Sequence, residues 1–332
     1  MANQVEEVNA IAIADIAAIN GLNDAAIEAI NGLEFVSAFG GITWSTDDVF
    51  PVTTRSTVNC GVIGAKLNSD TDGGTSGTQF RSYEHNGSSW ASGVATGGRT
   101  RTSGNGGGTQ GAAVMEGGYD NVASSDGLTT EEYNGSSWSF ANNLVGGSAY
   151  SGGGGTSQTA QLISGGSNYN PTVRNITLTQ TYNGTNWSNE SVASHGAGAG
   201  TNGEAAGGGL DAFMIADGSR EDPPNSNANL ISQIFNQSAG SWTTKATVTT
   251  HTWYNCSSTD GTRVYKIAGM GGTSVESWEE NSWTNQSVLP ASVRQGGLGT
   301  GGTAANGGAT HVGGSLNSNN ANVTTYYTAA AS

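Results

Sequence analysis

Glu131-Glu132-Tyr133-Asn134-Gly135-Ser136-Ser137-Trp138 reads as a tight β-hairpin, and the chain repeats it. An aromatic residue ends one strand, Asn-Gly supplies the positive φ of a short turn, and Trp opens the next strand. The same wording stands at Tyr83-Glu84-His85-Asn86-Gly87-Ser88-Ser89-Trp90 and at Tyr182-Asn183-Gly184-Thr185-Asn186-Trp187. Looser copies are Phe235-Asn236-Gln237-Ser238-Ala239-Gly240-Ser241-Trp242 and Trp278-Glu279-Glu280-Asn281-Ser282-Trp283, and Trp44 stands alone upstream. Trp44, Trp90, Trp138, Trp187, Trp242 and Trp283 follow one another at spacings of 46, 48, 49, 55 and 41. A recurrence of this size marks a repeat architecture, in which each repeat is one supersecondary unit stacked on the next.

A second unit recurs between the hairpins. Gly106-Gly107-Gly108-Thr109 leads to Ala113-Val114-Met115-Glu116-Gly117-Gly118, and Gly153-Gly154-Gly155-Thr156 leads to Leu162-Ile163-Ser164-Gly165-Gly166. Gly198-Ala199-Gly200-Thr201 leads to Phe213-Met214-Ile215-Ala216-Asp217-Gly218, and Gly296-Gly297-Leu298-Gly299-Thr300 leads to Thr310-His311-Val312-Gly313-Gly314. A glycine-rich strand, an apolar strand and a hairpin make four strands, the content of one propeller blade. Innermost strands converge on the axis, where only tiny side chains fit. Asn59-Cys60-Gly61 and Asn255-Cys256-Ser257 fall at that place, so both cysteines read as small buried side chains. The larger apolar residues and Trp44, Trp90, Trp138, Trp187, Trp242 and Trp283 belong farther out, in the core between blades.

Five Trp mark full repeats, and the chain ends on a partial one that stops at Tyr326-Tyr327 without a Trp. The missing strand stands at the other end, around Gly40-Gly41-Ile42-Thr43-Trp44. The expected fold is therefore all-β: a six-bladed, kelch-like β-propeller over residues 35-332, closed by an N-terminal strand and without exposed edges. An open solenoid of five repeats is the alternative.

The order Gly-Gly, Tyr, Trp within this period resembles kelch-type propellers. Tyr-Asn-Gly-Ser-Ser-Trp, with Glu131-Glu132 before it and Gly-Gly-Gly-Thr after it, more specifically resembles repeats in virion structural proteins of tailed phages, notably those of marine and cyanobacterial hosts. The resemblance covers about residues 35-327 and weakens in the first and fifth repeats; the fourth carries an insertion, Ser219 to Ala228. It implies a non-enzymatic virion structural protein on the particle exterior, assembled in the host cytoplasm and homo-oligomeric within the particle. A tail appendage (a fibre or spike component) contacting the host surface is the leading expectation. A capsid decoration protein, and a stand-alone carbohydrate-binding or glycan-active propeller, are the alternatives.

Residues 1-34 differ in composition. Asp15-Ile16-Ala17-Ala18-Ile19-Asn20-Gly21-Leu22 is followed by Ala26-Ile27-Glu28-Ala29-Ile30-Asn31-Gly32-Leu33, an 11-residue repeat. Apolar spacing, Asp15 and Asp24 as caps, and Gly21 and Gly32 as stops predict two short helices. Helices this short need a partner surface. Ile16, Ile19, Leu22, Ile27, Ile30 and Leu33 are expected to form an assembly anchor onto another virion protein or sister chains; packing on their own propeller is the plainer alternative. Similar Ile-Asn-Gly repeats open many phage structural proteins, which favours the anchor.

Composition narrows function further. The 26 acidic residues outnumber 11 Lys and Arg, giving a formal charge of -15 and no basic patch for nucleic acid. No run of 18 apolar residues spans a membrane, and the acidic N-terminus lacks the basic start of a secretory signal. His85, His195, His251 and His311 are scattered, no metal-ligand spacing or nucleophile elbow occurs, and no cofactor motif stands out. A larger polar or aromatic residue follows each Trp by roughly ten positions: Arg55, Arg101, Tyr150, His195, His251 and Arg294. In a closed ring these would face one channel mouth, where Arg forks and aromatic platforms suit an anionic or hydroxylated host glycan. Bonds from each Arg to carbonyls of its own loop are the plainer reading. The pairs Asp47-Asp48, Glu131-Glu132 and Glu279-Glu280 are expected to be solvated loop charges rather than Ca²⁺ ligands.

Overall fold

The computed structural model describes residues 7–8, 11–12, 18–19, 22–23, 29–30, 33–34, 42–46, 49–51, 57–62, 65–70, 81–97, 101–102, 104–120, 125–147, 151–165, 178–191, 205–207, 213–216, 231–249, 256–259, 264–267, 273–279, 282–289, 297–299, 308–312, 315–316, 319–320 and 324–329. The chain divides into two compact units, Met1–Ile42 with Ala329–Ser332, and Thr43–Thr328.

The larger unit is built from four-stranded sheets, six among the described residues. In the first, strands Thr57–Val62, Ala65–Asp70, Arg81–His85 and Trp90–Ala95 lie side by side in chain order. Asn105–Thr109, Ala112–Glu116, Thr130–Tyr133 and Trp138–Ala141 form the second. Gly152–Ser157, Ala160–Ser164, Thr179–Tyr182 and Trp187–Asn189 form the third. The fourth holds Ala205–Gly207, Phe213–Ala216, Ser232–Asn236 and Ser241–Lys245, and the fifth Cys256–Thr259, Val264–Ile267, Val275–Glu279 and Ser282–Asn285. The sixth is composite: Gly297–Gly299, Gly308–Val312, Thr324–Ala329 and, from the other end of the chain, Ile42–Thr46.

Each sheet grades from tiny residues to large ones. The second strands carry the apolar core: Val114, Leu162, Ile163, Tyr265 and Ile267 are fully buried. The fourth strands are mostly exposed and anchored by Trp. In four sheets the Trp of the fourth strand sits opposite a ring on the third, in pairs Tyr133↔Trp138, Tyr182↔Trp187, Phe235↔Trp242 and Trp278↔Trp283. Their ring centroids lie 5.0–5.6 Å apart, a spacing at which aromatic pairs attract beyond simple burial. Trp187 and Trp283 are buried, while Trp90, Trp138 and Trp242 are half-buried. In the first sheet the partner of Trp90 is His85, not the Tyr83 that heads the sequence motif. The repeats therefore align on Asn-Gly, and His85 stands where Tyr133 and Tyr182 stand.

The turns explain themselves. Asn86, Asn134 and Asn183 close four-residue loops by donating to the carbonyls of Ser89, Ser137 and Asn186. Gly87, Gly135 and Gly184 hold φ of 96°, 89° and 88°, the left-handed backbone that a side chain would oppose.

The smaller unit corrects the helical expectation. Its described residues form three two-residue hairpins: Glu7–Val8 with Ile11–Ala12, Ala18–Ile19 with Leu22–Asn23, and Ala29–Ile30 with Leu33–Glu34. The 11-residue period survives, but the element is a hairpin. Asn20-Gly21 and Asn31-Gly32 separate the paired residues Ile19↔Leu22 and Ile30↔Leu33. Asn-Gly between short apolar runs is a hairpin signal before it is a helix stop, and a single helical turn costs more to nucleate than it returns. Ile16 and Ile27 lie outside the described residues; Ile19, Leu22, Ile30 and Leu33 fall on strands.

Candidate functional site

Of the expected basic and aromatic series, Arg55, Tyr150, His195, His251 and Arg294 lie outside the described residues. Arg101 lies on the short strand Arg101–Thr102, just ahead of the second sheet. Its backbone pairs with Asp120 on strand Tyr119–Asp120, which pairs in turn with Ser125–Asp126. Arg101 is thereby stitched to the excursion between the second and third strands of its own sheet.

What the structure assembles instead is a recurring set of polar clasps between sheets. Two residues before the ring of the third strand stands Glu131, Gln180, Gln233 or Glu276, each at most 1% exposed; Glu131, Gln180 and Glu276 reach out of their own sheet, and Gln233 Nε2 donates to Thr244 Oγ1 within its own. Glu131 Oε2 accepts from Gly97 N at 2.5 Å, just beyond the fourth strand of the preceding sheet. Gln180 Oε1 accepts from Val145 N and Gly146 N at 2.7 and 3.1 Å, and its Nε2 donates to Gly146 O at 2.9 Å. Glu276 Oε1 accepts from Thr249 N at 2.7 Å and from Thr249 Oγ1. Buried polar groups persist only when bonded, so each clasp fixes the loop that joins one sheet to the next.

Other side chains repeat the crossing. The Tyr133 hydroxyl donates to Glu84 at 2.6 Å, and Tyr182 to Glu132 at 2.8 Å. The Trp187 indole donates to Thr130 Oγ1, and Trp283 to Ser232 Oγ. Gln110 reaches His85 O, and its counterpart Gln158 reaches Ala113 O and Tyr133 O. The expectation of solvated loop charges is corrected for Glu131-Glu132: both lie on strand Thr130–Tyr133, and their oxygens hold neighbouring sheets. Asp47, Asp48 and Glu280 lie outside the described residues. The sequence carried a signal for the clasps, a Glu or Gln at one offset in four repeats, but those residue types are ordinarily exposed.

A tyrosine beside a carboxylate can serve as an activated nucleophile in sugar chemistry. These pairs are built the other way. Burial, followed by the Glu84 carboxylate, pushes the Tyr133 hydroxyl up to about 12. Burial and then Glu132 drive Tyr182 higher still. Both hydroxyls stay protonated donors, and both rings are shut away from solvent.

The first strands of the second and third sheets approach one another closely. A Cβ on Gly107 would lie 2.6 Å from Gly155 N and closer still to its carbonyl oxygen, and one on Gly153 would lie 2.8 Å from Asn105 Cβ. The second and third sheets thus meet backbone to backbone. Among the described residues no group of three His, Cys, Asp or Glu side chains could hold a metal ion, and no helix is long and apolar enough to cross a membrane.

The chain matches no protein-family model and no curated protein. It is similar to the solved structure of YjhT, with a TM-score of 0.66 and 13% identity over 85% of this chain and 95% of that one. The likeness is one of fold. The chain is all-β, of antiparallel sheets, and propeller-like.

Proposed function

We propose that the larger unit is a closed six-bladed propeller and that the chain is a non-enzymatic structural protein on the outside of a tailed-phage particle. Closure is supported by the first strands. Thr57–Val62 lies against both Asn105–Thr109 and Gly297–Gly299, and each remaining first strand lies against the next in chain order. Phe50, which follows Ile42–Thr46, packs on Tyr83 and Trp90 of the first sheet at 4.9 and 5.0 Å. Leu144 makes the same step from the second sheet onto Tyr182 and Trp187 of the third.

The observation that carries the structural role is the use of the buried polar side chains. Glu131, Gln180, Glu276, Tyr133 and Tyr182 each make a hydrogen bond to a neighbouring sheet or the loop leaving it, which suits a rigid display body. The repeat wording that resembles phage virion proteins supplies the setting, and a tail appendage contacting the host surface is the reading preferred within it.

Gold-labelled antibody against residues 35–332 tests this on phage particles, with adsorption measured in parallel. Tail labelling with blocked adsorption is expected. Capsid labelling with normal adsorption would replace the tail reading with a decoration protein. Unlabelled particles, or sugar release by the purified chain, would overturn the structural role.

A further inference from the structure

We propose that Asn86-Gly87 is a self-modifying turn, in which His85 is the base for attack of the Gly87 nitrogen on the Asn86 side-chain amide, turning Asn86 into aspartate or isoaspartate. Among the described residues three repeats carry an exposed Asn-Gly turn, at Asn86, Asn134 and Asn183. All three polarise the amide with two backbone N–H groups of the turn. Asn86 Oδ1 accepts from Ser88 N, Ser88 Oγ and Ser89 N, each at 3.0 Å. Asn134 Oδ1 accepts from Ser136 N, Ser136 Oγ, Ser137 N and Ser137 Oγ at 3.0, 3.0, 2.9 and 3.3 Å, and Asn183 Oδ1 from Thr185 N and Asn186 N at 3.0 and 2.8 Å, so the first turn is not the one richest in donors. Donors aimed at an oxygen that gains charge stabilise a tetrahedral intermediate at the carbon beneath it.

Only the first turn adds a base. Gly87 N–H donates to His85 Nδ1 at 3.3 Å. An accepting Nδ1 belongs to the neutral ring with its proton on Nε2, the form able to take a proton. His85 is 3% exposed and its ring packs on Trp90 at 4.8 Å, so the imidazole is held in place. In the sister turns this position holds Tyr133 and Tyr182, whose hydroxyls are bound to Glu84 and Glu132.

The step balances with water alone. The Gly87 N–H proton passes to His85 Nδ1 as the nitrogen bonds to Asn86 Cγ. The Cγ–Nδ2 bond then breaks, and ammonia leaves with the proton returned from the imidazolium. Water opens the resulting succinimide at either carbonyl and yields aspartate or isoaspartate. The turn is exposed, so water reaches it. The product adds one negative charge and, as isoaspartate, one extra main-chain carbon to a hairpin end.

The test follows all three Asn in the same folded, full-length chain by peptide mapping and mass spectrometry during incubation at neutral pH. Asn86 should convert at least about a hundredfold faster than Asn134 and Asn183, the low end of what a positioned base supplies. His85→Tyr, which copies the sister turns, should bring Asn86 down to their rate, and in urea the three rates should converge. Equal rates in the folded wild-type chain would overturn the proposal, and that comparison needs no variant. An unchanged Asn86 rate in folded His85→Tyr, or a lead that survives in urea, would overturn it too.

Discussion

Glu276→Ala is expected to destabilise the protein by about 3–5 kcal/mol, because it strands a buried charge. Lys266 and Glu276 face each other across neighbouring strands at 3.1 Å, with side chains 2% and 1% exposed. Without the carboxylate, the buried ammonium loses its ion-pair partner and Thr249 loses the acceptor for its N–H. The other sheets show the remedy. Opposite Gln180 stands Ile163, and opposite Gln233 stands Ile215. The double variant Lys266→Ile with Glu276→Gln rebuilds that neutral pair and should recover most of the loss, as apolar replacement of buried ion pairs often does. Urea unfolding followed by Trp fluorescence reads both. A Glu276→Ala midpoint matching wild type would show that the clasp holds nothing.

Gly107→Ala should prevent folding to the native structure. The added methyl overlaps Gly155 N and O, backbone atoms of the next sheet that cannot swing aside. Overpacking in a yielding core costs about 1–3 kcal/mol, and the loss here should exceed that range because the sheets themselves must part. Gly111 lies in the turn after the same strand, and a Cβ there meets nothing within 4 Å. Gly111→Ala should fold normally. Soluble yield and near-ultraviolet circular dichroism of the two variants make the comparison. Equal behaviour would mean that the first strands do not meet as closely as described.

The hairpins were legible in the sequence because their cause is local. Asn-Gly and Trp act over six residues, and the period follows by counting. The polar clasps were not legible, because Glu131 finds Gly97 across 34 residues and Gln180 finds Val145 across 35, in another sheet. Nothing local separates a clasping Glu from a solvated one. The N-terminal repeat shows a different difficulty: its period was plain, yet Ile and Ala at short spacing fit a helical face and a hairpin equally, and Asn-Gly decides for the hairpin. His85 was hidden by its neighbour. Tyr83 matched the motif by residue type, whereas strand pairing set His85 against Trp90.

Ring closure rests on Ile42–Thr46 joining Thr324–Ala329 in one sheet. Hydrogen–deuterium exchange of the full chain reads that join directly. A closed ring predicts slow exchange at the amides of Ile42–Thr46, comparable with Trp138–Ala141 in the fourth strand of the second sheet. Exchange at Ile42–Thr46 as fast as in an unpaired peptide, with Trp138–Ala141 still protected, would contradict it.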